Sequence, residues 1–476
     1  MASFVVVGAG LSGLVCAARL MRAGHAAVVL EAQPAVGGRL RPIPTEYGPL
    51  EPAVGEIGEG DANLRALLAA LDLEPRDAPL VERSHALVLG GKLHRPPPLR
   101  PWEVLVPRLS PRIDRPIDAV FWRRPRWRLR RGVVRALWDA SRRGAAPIPD
   151  SVRALDDQTW SRASIRAFGT RWCATRLAPA LLARTGLDLS AESAALVVMM
   201  LVRLWSGGGR TVALDGGLAS LVERLAAALP VRLGARVEAL ETTADGVRVR
   251  YRTGGREESA VADGAVVALP PSEILRICPK LTPAERGHLE SFQPRRAIVI
   301  HRLVSDPAWL LRGLAGVTFV PGEIPDMRDL RILGRPSPSS SSSPSPDPFW
   351  IRISFERESV DAHWGLSDQV LVAKLDAAFR GSPLGDLPTG PSRVERIPEL
   401  MSVQGRGALE RRALFEGRGE RTPRLAFATE AFTTPDLEGR VAAGMRGAAA
   451  AIESLGHVPA RSELGGATAD PPGARA

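Results

Sequence analysis

Cysteine is scarce in this 476-residue chain, which carries only Cys16, Cys173 and Cys278. Three scattered thiols build neither a disulfide framework nor a thiolate metal site, so no metal is expected and a reducing compartment is the default. Lysine occurs only at Lys92, Lys280 and Lys374, and tyrosine only at Tyr47 and Tyr251. The basic residues are therefore almost all arginine. Beside abundant Ala, Gly and Pro, that skew reads as the codon bias of a GC-rich genome, and the net charge of +11 is discounted as a sign of nucleic-acid binding. Long apolar runs are also missing. Ala194–Val202 is the longest, far short of a spanning helix, and the N-terminus enters a strand with no basic leader region. A cytoplasmic protein is expected, long enough for two domains with a full core each. None of the seven histidines stands in a catalytic spacing, so no nucleophilic triad is sought.

What is present is concentrated at the start. Phe4–Val7 is a short valine-rich run, and Gly8-Ala9-Gly10-Leu11-Ser12-Gly13 follows at once. A strand feeding a glycine turn that opens a helix is the context a dinucleotide fingerprint requires. Gly8 permits the tight turn, Gly10 lets the backbone approach a pyrophosphate, and Gly13 with Ala17 lets the helix lie close to the sheet. The phosphate then sits on the helix N-terminus. Gly24 stops this helix and Ala26–Leu30 makes the second strand. Glu31 ends that strand as an acceptor for the adenosine ribose hydroxyls, with no arginine in its place to take a 2'-phosphate.

Six residues after Glu31 comes Gly37-Gly38-Arg39-Leu40, and this extension resembles the flavin-containing amine oxidase superfamily. That group includes amine oxidases, protoporphyrinogen oxidases and phytoene-desaturase-like enzymes. The resemblance implies FAD, with Gly38 and Arg39 beside its diphosphate and ribityl chain, where a guanidinium fork suits phosphate oxygens. The stretch from Asp215-Gly216-Gly217-Leu218 to Ala268-Leu269-Pro270-Pro271 is similar to the same superfamily. By that resemblance the backbone of Val237 pairs with the adenine; a buried strand valine is the alternative. Near the end, Leu425–Thr429, Glu430 and Thr434-Pro435-Asp436-Leu437-Glu438-Gly439 look like the closing FAD motif. This implies Glu430 on the ribityl or diphosphate side. The N–H groups near Leu437 would then face the N1/O2 edge of the flavin, where a helix N-terminus favours negative charge. No cysteine follows Cys278, so a C-terminal thioether to the flavin is excluded and FAD is expected to be noncovalent.

The expected fold is α/β. A Rossmann-like FAD-binding domain assembled from three discontinuous segments, 1–78, 207–285 and 421–457, stands beside an α+β substrate domain of residues 79–206 and 286–420. A Ser/Pro-rich insertion covers 335–348 and a disordered tail 458–476. Periodicity predicts a helix over Asp61–Leu73 and a hairpin over Val81–Arg95 turning at Gly90-Gly91. Strands are expected over Val231–Leu233, Val237–Leu240, Val247–Tyr251, Val261–Leu269, Phe292–Val304 and Trp350–Phe355. Helices follow over Ser367–Phe379 and from Arg440. Phe121–Arg143 interleaves nine arginines with Trp122, Trp127 and Trp138. It reads as a substrate-domain helix with arginine stems over the core, or as a helix on an anionic membrane surface, which would make the protein peripheral on the inner face. Nucleic acid is set aside, because no stacking platform accompanies the charge.

The resemblance implies hydride removal to the flavin from a carbon held in an apolar, water-poor site. Amine oxidases of the superfamily hold a lysine near the flavin and an aromatic cage. Here the corresponding strand, Ala297–Leu303, offers His301 as a base or hydrogen-bond donor, with a satisfied structural histidine as the alternative. Protoporphyrinogen oxidases are similar over the Leu-rich helix after residue 61, the Gly90-Gly91-Lys92-Leu93 turn and the Gly405–Arg411 run. This chain departs from them at Ser402, Gln404 and Ala408. The resulting expectation is a protoporphyrinogen oxidase-like FAD enzyme acting on an apolar or conjugated small molecule. The alternatives are a carotenoid desaturase, an amine oxidase, or a non-catalytic flavin-binding protein at a membrane.

Overall fold

The computed structural model describes residues 1–47, 49–50, 52, 57–78, 85–95, 132, 134–136, 138, 148–206, 211–214, 217–243, 246–305, 314–333 and 348–455. The Ser/Pro insertion, the tail and most of 121–143 lie outside the described residues. So do residues 81–84 of the expected hairpin.

Five parallel strands form the central sheet, in the order Leu425–Phe427, Gly264–Val267, Ser3–Val7, Ala26–Leu30 and Val231–Arg232. The valine-rich first strand is apolar from Phe4 to Val7 because both of its faces are covered there. Phe4 and Val6 join a core with the helices Leu11–Arg22, Gly217–Ala227 and Leu437–Ser454. Val5 and Val7 join another with the antiparallel sheet Ala235–Thr242, Val247–Thr253 and Arg256–Ala262. The last helix presses on the first through missing side chains. A Cβ at Gly444 would come within 2.4 Å of the Ser12 carbonyl oxygen, and one at Gly447 within 2.7 Å of the Ala428 Cβ.

The single strand expected over Val261–Leu269 is two strands. Gly254 and Gly255, both at positive φ, turn the chain back into a hairpin ending at Ala262, and Gly264–Val267 then enters the parallel sheet. Asp263 marks the break, its carboxylate accepting from the Ser3 N–H at 2.7 Å and the Ser3 hydroxyl at 2.8 Å. The expected Leu-rich helix runs over Ala62–Ala70, and the hairpin over His85–Leu89 and Lys92–His94.

The second large sheet has seven strands, in the order Ser392–Val403, Gln293–Val304, Phe349–Phe355, Met327–Ile332, Gly316–Phe319, His85–Leu89 and Lys92–His94. Its pairs are antiparallel except for Gly316–Phe319 against His85–Leu89. One face is ordinary core: Ile298, Ile300, Ile351 and Ile353 pack with Leu371, Leu375 and Phe379 of the helix Asp368–Phe379. The pleat sends the intervening residues to the other face. There His301, Asp329, Arg331 and Arg352 are all buried. A helical cluster around Trp160, Phe168, Leu177 and Val197 completes the fold. Among the described residues no helix is long and apolar enough to cross a membrane.

Candidate active site

The turn after the first strand has the geometry its glycines imply. Gly8 stands at φ 102°, and a Cβ there would meet the Ala268 carbonyl oxygen at 2.9 Å. Gly13 allows the closest approach, since its Cβ would lie 2.0 Å from the Gly8 oxygen. Gly10 has the opposite surroundings: nothing lies within 4 Å of its missing Cβ. It opens onto a cavity of about 280 Å³, lined also by Gly8, Ser12, Glu31, Gly38, Arg39 and Glu430. Gly10 caps the helix Leu11–Arg22 without a side-chain acceptor, and the first intrahelical bond runs from the Leu14 N–H to Gly10. The first-turn N–H groups thus face the cavity side of the turn, as an anion site requires.

Glu31 is buried at the end of the second strand. Its carboxylate accepts from the Ala9 N–H at 2.7 Å and the Gln33 N–H at 2.8 Å, so it also clamps the glycine turn. Gly37 bonds back to Ala9, at 2.8 Å, and Gly38, at φ 55°, lies against Gly10. This brings Arg39 to the cavity, where its guanidinium forks onto Glu430 at 2.6 and 3.2 Å. Glu430 also accepts from the Ser402 N–H, at 3.2 Å, and Arg440 stands 3.8 Å away. Burial alone would raise the Glu430 carboxyl, but Arg39 and Arg440 more than offset it and hold the group below the usual carboxylate range. Burial pulls Arg440 down to about 10, which leaves it charged at neutral pH. Two guanidiniums share one carboxylate here, and the buried Arg440 Nε, ion-paired at 3.8 Å, makes no hydrogen bond in the protein.

A second cavity, of about 210 Å³, shares Gly38, Arg39, Leu40 and Arg440 with the first. Leu437 and Asp436 line it at the start of the last helix, where the Asp436 side chain caps by accepting from the Gly439 N–H at 3.0 Å. This helix begins at Leu437, three residues before the expected start. The other wall comes from the seven-stranded sheet and includes Arg352, Glu395 and Ile397. Glu438 turns its carboxylate onto the N–H groups of Asn63 and Leu64 at 3.0 and 2.8 Å, closing the end of the Ala62–Ala70 helix.

Among the residues singled out in the sequence, Gly8, Gly10, Glu31, Gly38, Arg39 and Glu430 line the first cavity, Gly13 packs directly behind the turn, and Leu437 lines the second. Val237 lines neither. Its side chain is buried on the edge strand of the three-stranded sheet, two residues from Ala235, whose N–H donates to the Glu31 carbonyl oxygen at 2.7 Å. His301 is fully buried and is absent from the cavity wall. Its Nε2 meets Glu395 at 3.2 Å, and burial holds its pKa below the usual histidine value. The group presented to the cavity is Glu395.

Arg440, Arg352 and Glu395 were not found by sequence reasoning. Arg440 had a signal, since it directly follows Glu438-Gly439. Arg352 and Glu395 had none, because a charged residue in an alternating strand reads as solvent-facing.

Residues 11–451 match the model for flavin containing amine oxidoreductases. The chain belongs to that family. It is a flavin-dependent oxidoreductase, its cofactor is FAD, and the mixed α/β fold with its parallel sheet is the family's. Wild-type putrescine oxidase bound to putrescine superposes with a TM-score of 0.66 at 20% identity, over 95% of this chain and 99% of that one. A provisionally named protoporphyrinogen oxidase from Exiguobacterium sp. 255-15 gives 0.66 at 16% identity, over 96% and 99%. Cyclohexylamine oxidase from Brevibacterium oxydans IH-35A gives 0.66 at 18%, over 96% and 100%. At these identities the likenesses carry the fold. A hydroxyneurosporene desaturase from Cereibacter sphaeroides is 53% identical over 47 residues, a match that spans 10% of either chain.

The residues present fit FAD. The cavity at the glycine turn, the open backbone at Gly10, the uncapped helix start and the Arg440 Nε without a hydrogen-bond partner together suit a dinucleotide diphosphate.

Proposed function

We propose that the protein removes hydride from a carbon of a conjugated small molecule with a largely apolar body, in the manner of protoporphyrinogen oxidase. The observation that carries this reading is the second cavity. Among its described lining residues are Leu40, Ile43, Leu187, Leu218, Ile397 and Leu400, and neither a lysine nor an aromatic side chain, the groups an amine-binding cage would use.

In this reading residues 1–78, 207–285 and 421–457 hold FAD noncovalently and the remainder walls the substrate. The N–H groups of Leu11 and Ser12 with Arg39 and Arg440 take the diphosphate, and Glu31 takes the ribose hydroxyls. The backbone of Val237 takes the adenine. FAD supplies the two-electron acceptor. The N-terminus of the last helix, at Leu437, places partial positive charge at the cavity and favours an electron-rich neighbour there. The aliphatic residues exclude water, and Glu395, held by His301, is the proton acceptor on the substrate side.

Anaerobic addition of protoporphyrinogen to the purified protein tests this directly. Bleaching of the flavin spectrum is expected, and a spectrum that stays oxidised sinks the substrate class. A second reading, desaturation of a carotenoid precursor, draws support from the short stretch shared with hydroxyneurosporene desaturase. Bleaching by phytoene but not by protoporphyrinogen would select it. Either substrate would be met at a lipid surface through residues 121–143. Unchanged liposome binding after Trp127→Ala with Arg130→Ala would remove that contact.

A further inference from the structure

We infer that Arg352 is a specificity-determining residue, binding a carboxylate carried by the substrate apart from its oxidised carbon. The inference rests on the substrate cavity assigned above.

Arg352 lies on Phe349–Phe355, a central strand of the seven-stranded sheet. Its neighbours Ile351 and Ile353 point into the apolar core, and the pleat turns Arg352 to the opposite face, where it lines the cavity. It is only 7% exposed. A guanidinium so buried normally has its donors committed, because an unpaired buried donor costs its full desolvation. Here Nε has no partner, and Nη1 makes one long contact, 3.4 Å to the Pro52 carbonyl oxygen.

The nearby carboxylates are already engaged. Asp329 accepts from Arg328 at 2.9 Å and Arg331 at 3.2 Å, while Glu395 accepts from His301 at 3.2 Å. The cluster holds Arg328, Arg331 and Arg352 against Asp329 and Glu395, with Arg393 also near Glu395. It retains positive charge on the cavity wall. Arg331 spends its remaining donors on the Leu182 and Ala183 carbonyls, and Arg328 does not line this cavity. Of the arginines in this cluster, Arg352 lines the cavity with its Nε free of any hydrogen bond. Its planar fork suits a carboxylate, and the aliphatic lining suits the body that carries it.

The test is titration of the flavin-loaded wild-type protein with benzoate, cinnamate and 2-naphthoate and with their neutral amides, followed by perturbation of the visible flavin spectrum. Each acid is expected to bind about ten- to a hundred-fold more tightly than its amide, the range of a charge-assisted hydrogen bond. Arg352→Met should bring the acids to the level of the amides, and Arg352→Lys should restore part of the preference. Flavin content and thermal stability of each variant show that the fold is kept. Should Arg352→Met not fold, the acid-to-amide ratio in the wild type and Arg352→Lys still decides. Equal binding of acids and amides, no response to any acid, or a preference that survives Arg352→Met overturns the inference. A protein that carries flavin and is bleached by neutral conjugated substrates with no acid preference loses this inference alone. A protein that is bleached by no conjugated substrate loses the proposed function.

Discussion

The two sheets treat a buried strand in opposite ways. Phe4–Val7 in the parallel sheet is buried and apolar on both faces, and polar groups are supplied by the backbone of the turn that follows it. Phe349–Phe355 in the seven-stranded sheet is also buried at every position, yet one of its faces carries Trp350, Arg352 and Ser354. The parallel sheet thus opens its cavity with main chain at a fixed turn, built from contiguous residues. The seven-stranded sheet walls its cavity with side chains from separate strands, brought together by register: His301 lies opposite both Arg352 and Arg393, and Val299 opposite Glu395. Contiguous recognition is local and substitution there is all-or-none, whereas a wall built from strands is open to gradual change.

Substitutions can break that contrast, and the largest effect is expected at the glycine turn. Gly13→Val places a side chain where the Gly8 oxygen already stands, and should abolish folded, flavin-loaded protein as judged by circular dichroism and absorbance. Gly10→Ala, in open space, should leave the apoprotein's thermal unfolding unchanged while removing most of the bound flavin. If both variants behave alike, the turn is not the separate binding device described here.

In the seven-stranded sheet, Ile353→Ala empties a fully buried site. It should cost about 2–5 kcal/mol in denaturant unfolding while the flavin spectrum is retained. Loss of flavin with that truncation would show that the two sheets are not independent.

Arg39→Ala sits between the sheets in size. It leaves Glu430 with Arg440 at 3.8 Å and the Ser402 N–H, and should cost about 2 kcal/mol, discounted because Arg39 is a quarter exposed. Flavin affinity should fall with it, and Glu430→Gln should recover part of the stability lost in the double variant. A purely additive double variant would show that the pair is not coupled.

The remaining test uses pH. Burial lowers His85 to about 3 and His288 to about 4, and holds His301 below 6.5. Each binds protons more readily when unfolded, so their contribution to stability should be flat above pH 6.5 and fall as the pH drops below it, while Glu192, raised by burial to about 8, acts in the opposite sense between its ordinary value and that pH. Glu430, held low, adds a second loss below about pH 4.5, its ordinary value. With Glu192→Gln removing that opposing contribution, a melting temperature that rises between pH 6.5 and 5 would contradict the first assignment.

Much of the first cavity's lining was legible because its spacing is enforced within a few residues. A strand, a turn and a helix start must be contiguous, and so must Gly38 and Arg39. The lost detail was tertiary even there. The Val261–Leu269 run could not reveal the break at Asp263, since that break is decided by the distant Ser3, and Arg440 acquires meaning only beside Glu430. His301 was named for its strand, but the pleat and the cross-strand register buried it and presented Glu395 instead.

The sequence alone determined the parallel-strand entry, the glycine turn, the acid at residue 31 and the closing motif around Glu430, because short-range sterics and helix-start geometry leave few other solutions for those residues. Only the tertiary structure decided which charges meet: Arg39 and Arg440 on Glu430, Arg328 and Arg331 on Asp329, and Arg352 left over at the cavity wall. The physical reason is that packing brings Arg39 to Glu430 across 391 residues, and that even along one strand the neighbouring segments decide which guanidinium is left without a partner; an arginine on an alternating strand carries the same local pattern whether its face meets water or a cavity.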